Sequence, residues 1–406
     1  MAEWKYGMLP QGWEAFAIED YTTVITDYVA NGSFASLAEN VQYKDTPDEA
    51  VLIRLVDYNN GFKGGFVFID SHAYEFLGKS KLYGGEIIIS NVGANVGTVF
   101  KCPKLPYKMS LAPNAIMLRT KGVDDFFYYW FSGPIGQHAI KSIVTGSAQP
   151  KFNKTTFRKI VVPVPPIAVQ EKIAGYLRSI DEKIECNNRI NDNLQQQALA
   201  IFQQEFLREG ELPDGWTSGS LLDIANYLNG LAMQKFRPAD GESGLPVLKI
   251  KELRQGSCDA SSELCSPSIK PEYIVHDGDV IFSWSGSLLV DLWCGGTCGL
   301  NQHLFKVTSD KYPKWFYYAW TAHHLARFVA IAADKATTMG HIKREELAKA
   351  EVVIPDAASM ERIGGILQPM YDLIISNRIE NRKLAALRDT ILPQLMSGEL
   401  DVSDLT

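Results

Sequence analysis

The sequence predicts an α+β fold: two similar mixed α/β domains separated by two long helices that form an antiparallel coiled coil, built as a pseudo-two-fold internal repeat. Three observations predict it. An ordered set of motifs occurs twice along 406 residues, each copy opens with short β-branched runs broken by Gly, Pro, Asn and Asp, and each closes on a long segment with helical apolar spacing. The blocks read as residues 1–166 and 210–356 for the two domains, 167–209 for the first spacer helix, and 357–406 for the second spacer helix and tail.

The repeat is read first, because it decides the architecture. Leu9-Pro10-Gln11-Gly12-Trp13 returns as Leu212-Pro213-Asp214-Gly215-Trp216, and Leu52-Ile53-Arg54-Leu55 as Val247-Leu248-Lys249-Ile250. Gly85-Glu86-Ile87-Ile88-Ile89-Ser90 returns as Gly278-Asp279-Val280-Ile281-Phe282-Ser283, and Phe127-Tyr128-Tyr129 as Phe316-Tyr317-Tyr318. Val162-Pro163-Val164-Pro165 finds Val352-Val353-Ile354-Pro355. The offset drifts from 203 to 190, so the first copy carries about a dozen more loop residues. Each copy also holds one aromatic helix, expected near Asp124–Ile143 and Lys314–Ala333.

The long segments, 168–208 and 359–392, carry the helical argument. Ile173, Leu177, Ile180, Ile184, Asn187, Asn191, Leu194, Ala198 and Ile201 step by fours and threes, and so do Ile363, Leu367, Met370, Ile374, Asn377, Asn381, Leu384, Arg388 and Ile391. A mean step of about 3.5 is the seam of a coiled coil. Two successive seam positions in each helix are Asn. A buried amide needs a partner at its own level, so Asn187 and Asn191 meet Asn377 and Asn381 if the helices pair about a shared midpoint. The plainer alternative is two helices lying on their own domains with Asn at a wet edge.

Composition bounds the function. A hydrophobic fraction of 46% and a charged fraction of 21% belong to a globular protein, and no apolar run reaches the roughly 18–20 residues of a membrane span. Met1-Ala2-Glu3-Trp4-Lys5 does not read as a secretory leader, and six cysteines are too sparse for a disulfide scaffold, so a cytoplasmic location is expected. The net charge is −7, but residues 87–170 hold ten Lys and Arg against Asp124 and Asp125, and residues 311–344 hold six against Asp334. Two basic windows, one per copy, point towards a polyanion more than the total does.

Catalytic signatures are missing. There is no Gly-x-x-x-x-Gly-Lys-[Ser/Thr] loop; Gly93-Ala94-Asn95-Val96-Gly97 is followed by Thr98 and reads as a strand-exit turn. Pro163-Val164-Pro165-Pro166-Ile167 lacks the polar and aromatic ends of an aminomethyltransferase motif, and no Gly-x-Ser-x-Gly elbow occurs. Cys258, Cys265, Cys294 and Cys298 are poorly spaced for zinc, and the histidines form no metal motif. The expectation is a chain with no catalytic and no metal-ligating residues.

The doubled Leu-Pro-x-Gly-Trp opening, the Gly-Glu-Ile-Ile-Ile-Ser and Gly-Asp-Val-Ile-Phe-Ser strands and the Gln170-Glu171-Lys172-Ile173-Ala174 helix entry with its partner Met360-Glu361-Arg362-Ile363 resemble one family. So does the closing Leu392-Pro393-Gln394-Leu395-Met396-Ser397-Gly398-Glu399-Leu400. Over nearly its whole length the chain resembles the specificity (S) subunits of type I restriction-modification systems. The resemblance implies two target-recognition domains, each reading half of a bipartite, asymmetric site in double-stranded DNA. It implies a platform for two methyltransferase (M) subunits, which bring S-adenosylmethionine, and for restriction (R) subunits, which bring ATP and magnesium. This chain would then hold no cofactor and perform no reaction.

Within that reading, Thr145, Gln149, Lys151, Asn153, Lys154 and Arg158 form one candidate DNA-binding loop, with Lys101 in the same basic window. Lys335, Thr338, His341, Lys343 and Arg344 form its counterpart, and Gln302 and His303, with Asn91, Asn95 and Trp284, stand second at strand ends. Lys and Arg suit phosphates; amides suit base edges. The helix-pairing set is Leu177, Ile184, Asn187, Asn191, Leu194, Leu367, Ile374, Asn377, Asn381 and Leu384. The rival readings are a coiled-coil scaffold that never touches DNA, which leaves the basic windows unexplained, and a truncated methyltransferase fusion, which lacks a methyl-donor motif.

Overall fold

The computed structural model describes residues 4–208, 210–334 and 342–402. The chain divides into two compact units, Met1–Asp181 with Ala386–Thr406, and Glu182–Ala385. Each unit contains one head and a stretch of each long helix.

The first head runs β1 (Glu14–Ala17), β2 (Thr22–Asp27), α1 (Phe34–Asn40), β3 (Ala50–Ile53), α2 (Leu55–Asn59), β4 (Val67–Ile69), α3 (Ser71–Phe76) and β5 (Lys81–Leu82). It continues with β6 (Ile87–Ser90), β7 (Val99–Lys101), β8 (Lys108–Leu111), β9 (Ala115–Thr120), α4 (Asp124–Ser132), α5 (Pro134–Lys141), α6 (Lys154–Arg158), β10 (Val161–Val164) and the 40-residue α7 (Ile167–Phe206). An antiparallel sheet β2-β9-β6-β7 packs on a second sheet, β4-β3-β8-β5, whose β3 and β8 are parallel. Strand alternation explains why β6 carries three successive isoleucines: Ile87 and Ile89 face the aromatic core under α4 and α5, while Ile88 faces the second sheet. The paired β1 and β10 close the head and lead into α7. There Gln170, fully buried, accepts from the Val123 amide at 2.9 Å and donates to the Pro165 carbonyl at 2.8 Å.

The second head repeats this order as β11 (Thr217–Ser220), α8 (Leu221–Ile224), β12 (Asn226–Asn229), β13 (Leu245–Leu248), α9 (Ile250–Gln255), β14 (Leu264–Cys265), β15 (Ile274–Val275) and β16 (Val280–Ser283). Then come β17 (Leu289–Leu292), β18 (Cys298–Leu300), β19 (Leu304–Thr308), α10 (Lys314–His323), α11 (Leu325–Asp334), α12 (Arg344–Ala348), β20 (Glu351–Ile354) and α13 (Ala357–Ser397). Its sheets, β12-β19-β16-β17, β14-β13-β18-β15 and β11-β20, have the connectivity of the first head. Helices α1 and α3 have no counterpart among its described residues, which is where the offset drifts. The motif glycines Gly85 and Gly278 take φ of +87° and +86° before β6 and β16. Behind them Glu86 and Asp279 each accept a backbone N–H and a cation, from Arg119 at 2.7 Å and Lys306 at 2.8 Å. Burial works to raise the Glu86 carboxyl, but Arg119 and the amide donors hold it below its usual range.

Two expectations about helices need correction. The aromatic helix is two helices in each head. Pro134 has no N–H and starts α5 afresh after Gly133, and a Cβ at Gly136 would collide with the Trp130 carbonyl; in the second head the break falls at His324. The helix expected to stop at Leu392 instead runs to Ser397, through Pro369 and Pro393, because Leu395 and Met396 are buried in the first head's core.

The seam is also divided. Within the second unit the helices run antiparallel: Asn187 Nδ2 donates to Asn381 Oδ1 at 2.8 Å, and Asn377 Nδ2 to Asn191 Oδ1 at 2.9 Å. Glu380 accepts from Asn187 at 2.7 Å and meets Lys183 at 3.2 Å. Leu367 and Ile374 are fully buried, yet in the second head's own core, where Leu194 also packs; Ile184 and Leu384 are half-buried. In the first unit Leu177 is likewise buried in its head's core. The outer seam positions therefore anchor heads, because the aromatic helices present a larger apolar surface than a second helix does. Arg378 and Arg382 add ion pairs from α13 to Asp291 and Asp277, both at 2.7 Å, in the second head.

Candidate nucleic-acid interface

Each head has one corner at which β6 or β16 leaves its sheet, and both corners have the same main-chain bonding. In the first, Asn91 N donates to Asn114 O at 3.0 Å and Phe152 N to Asn91 O at 3.1 Å. In the second, Trp284 N donates to His303 O at 3.4 Å and Ile342 N to Trp284 O at 3.0 Å. The side chains on this shared frame differ completely. Asn91, Val92, Pro113 and Asn114 occupy the first corner; Trp284, Ser285, Gln302 and His303 occupy the second. Asn114 is held at φ +69°, an uncommon conformation for a residue with a Cβ. In the second corner the polar groups are interlocked. Trp284 Nε1 donates to Asn229 Oδ1 at 3.0 Å, Ser285 Oγ and His303 Nδ1 are 3.0 Å apart, and Gln302 Nε2 lies 3.4 Å from His303 Nε2.

The first corner carries the predicted loop. Thr145 and Lys151 exchange main-chain hydrogen bonds of 2.8 and 2.9 Å, and Gly93 N donates to Pro150 O at 2.9 Å. Gly146, at φ +86°, closes the turn between them. The result is a braced loop with Thr145, Gln149 and Lys151 exposed. The residues after it are used differently from the expectation. Asn153 is exposed but caps α6, accepting from Thr156 N at 2.8 Å. Lys154 is held at 2.9 Å by Asp27, and Arg158, in the last turn of α6, is half-buried. Lys101 lies elsewhere: it pairs with Ile87 at the far end of β6, bonds Asp125 at 2.6 Å and covers the Tyr128 ring. In the second head Lys343 and Arg344 are exposed where α12 begins, beside Ile342, while Lys335, Thr338 and His341 lie outside the described residues.

The first basic window shrinks in three dimensions. Lys108 pairs with Glu49, Arg119 with Glu86, Lys154 with Asp27, and Lys121 donates to the Asp20 carbonyl. Glu49, Glu86 and Asp27 come from sequence outside the window, which is why a local count overstated the charge. Lys104, Lys141, Lys151 and Lys159 remain exposed.

Beside the first corner lies a cavity of about 730 Å³ walled by Tyr28, Phe34, Tyr43, Asn91 and Asn114. Phe34 is 82% and Tyr43 55% exposed. Sequence reasoning passed over Phe34, Tyr43 and Asn114. The Pro113-Asn114 turn dipeptide was the one available signal, since nothing local marks an aromatic as exposed. Among the described residues no three His, Cys, Asp or Glu side chains are grouped to hold a metal ion, and no helix is long and apolar enough to cross a membrane.

The model of the type I restriction modification DNA specificity domain matches residues 10–196 and 213–387, one match per copy. The chain belongs to that family. Among its relatives is the type I restriction enzyme MjaIX specificity subunit of Methanocaldococcus jannaschii, 25% identical over 305 residues, 70% of this chain and 70% of that protein. The EcoKI specificity subunit of Escherichia coli is 22% identical over 436 residues, 97% of this chain and 90% of that protein. The crystal structure of a type I restriction-modification S subunit from M. genitalium has the same fold, with a TM-score of 0.58 at 14% identity, covering 97% of this chain and 98% of that one. Family membership accounts for the doubled head and the paired helices together.

Proposed function

We propose that this chain is the sequence-reading subunit of a type I restriction-modification complex, that each head reads one part of a bipartite, asymmetric DNA site, and that the helices receive two M subunits. The observation that carries this reading is the shared corner: one backbone frame, built twice, bearing unrelated polar side chains. Two like frames present two heads to DNA in the same manner, and unlike side chains then read unlike bases. Exposed Lys151 in one head, and Lys343 with Arg344 in the other, supply phosphate contacts, and Thr145 and Gln149 are placed to reach a groove. The chemistry belongs to the partners: S-adenosylmethionine on M, ATP and magnesium on R, no cofactor on this chain.

The test is fluorescence anisotropy on duplex DNA with this chain and its M subunits together. The expected result is salt-dependent binding that is tighter for DNA carrying the methylated motif, and a motif of two unlike parts separated by a fixed gap. Binding that shows no salt dependence, or methylation by the chain alone, would overturn the proposal.

A further inference from the structure

Resting on that reading, we infer that each head recognises one base through its exocyclic amino group, using the carbonyl oxygen of a corner amide: Asn91 Oδ1 in the first head and Gln302 Oε1 in the second. Both oxygens are shielded from solvent and have no hydrogen-bond partner among the described residues. They lie at the same corner of the two heads but on different arms of its frame, Gln302 standing where the first head has Pro113. Asn91 follows β6, and its N–H bonds the Asn114 carbonyl; Gln302 adjoins His303, whose carbonyl accepts the matching bond from Trp284.

The other end of each amide is engaged. Asn91 Nδ2 donates to the Phe152 carbonyl at 3.4 Å, and Gln302 Nε2 lies 3.4 Å from the His303 ring nitrogen. Each amide is therefore oriented by its nitrogen, with its oxygen left to accept. A shielded carbonyl oxygen without a donor costs about 1–3 kcal/mol, so a donor brought from outside the chain is favoured at either corner. On a DNA edge the donors are the amino groups of adenine, cytosine and guanine; thymine has none on its groove edges. Asn91 also borders the 730 Å³ cavity. Gln302 and Asn91 differ in length and in the strand that carries them, so the two amino groups lie at different positions in their half-sites.

The experiment uses the complex of this chain with its M subunits and a duplex carrying its methylated motif. Each adenine, cytosine and guanine of the motif is replaced in turn by purine, 2-pyrimidinone or hypoxanthine, which removes the amino group alone. Affinity is measured for the parent, Asn91→Ala and Gln302→Ala. In the parent, one position in each half-site should lose about tenfold in affinity on losing its amino group. That loss should vanish in Asn91→Ala for one half-site and in Gln302→Ala for the other, each variant leaving the opposite half-site unchanged. Losses that are the same in parent and variants at every position would overturn the inference while leaving DNA recognition standing. A parent that does not bind the motif would overturn both. Where an alanine variant loses its binding to random DNA, Asn91→Asp or Gln302→Glu takes its place. These keep the acceptor and should keep the sensitivity to the amino group; losing it would count against the inference.

Discussion

Lys151 and Lys154 are three residues apart and were indistinguishable as sequence, yet they have different fates. Lys151 is exposed on the braced loop, whereas Lys154 is tied to Asp27 in a half-buried pair. Lys151→Ala is expected to weaken binding to every DNA sequence alike and to lower the slope of log affinity against log salt by about 0.9, one phosphate contact. Lys154→Ala is expected to leave that slope unchanged and to cost about 1 kcal/mol of stability, read from urea unfolding. Equal effects of the two on the salt slope would show that the ion pair opens to meet DNA. Residue identity marked both as cationic. It could not mark which one had an acid waiting 127 positions away, and the same blindness grouped Lys101 with the loop, although it pairs with Asp125 at the far end of β6.

At the scale of elements, periodicity was legible and packing partners were not. The spacing of α7 and α13 predicted both helices and the meeting of their asparagines, because a buried amide restricts its possible neighbours more than a leucine does. It could not say that Leu177, Leu367 and Ile374 face head cores, since apolar residues fit any apolar surface. Asn191→Leu should leave the Asn377 amide without its acceptor and destabilise the second unit by about 1–3 kcal/mol, while Asn191→Leu with Asn377→Leu should recover most of the loss. A double-mutant cycle on urea midpoints checks this, and additive losses would mean that the amides do not act on each other. The junction of helices α10 and α11 offers a pH test. Burial depresses the pKa of His323 and His324 below the ordinary 6.5, although His324 also bonds the Glu351 carbonyl at 2.8 Å. The folded state then binds protons less readily than the unfolded chain. The stability these neutral rings contribute is present above pH about 6.5 and lost as the pH falls through their depressed folded values. Melting temperature should drop between pH 7.5 and 5.5 in the parent and drop less in His323→Gln with His324→Gln; parallel curves would assign the drop to other groups.

The whole molecule was the most legible level, because a duplication is written in the order of motifs and needs no knowledge of contacts. The twenty strands among the described residues fall into two matching sets of ten, and the family model matches once in each copy. What order could not supply was the position of the corners, since Asn91 and Asn114, or Trp284 and His303, become neighbours only when the sheets form. If the helices also set the gap between the two half-sites, a prediction follows at this scale. A seven-residue insertion between Ile184 and Asn187, matched by one between Asn381 and Leu384, keeps the 3.5-residue seam in phase and preserves the Asn pairs. It lengthens each helix by about 10 Å, the rise of roughly three base pairs. Methylome sequencing of a host carrying the extended subunit with its M subunits should show both half-sites unchanged and the gap longer by about three base pairs. An insertion in one helix alone puts the asparagines out of level, and methylation should be lost. If instead both half-sites and the original gap persisted in the doubly extended subunit, the helices would not be the ruler, and the spacing would have to be imposed by the M subunits that hold the heads.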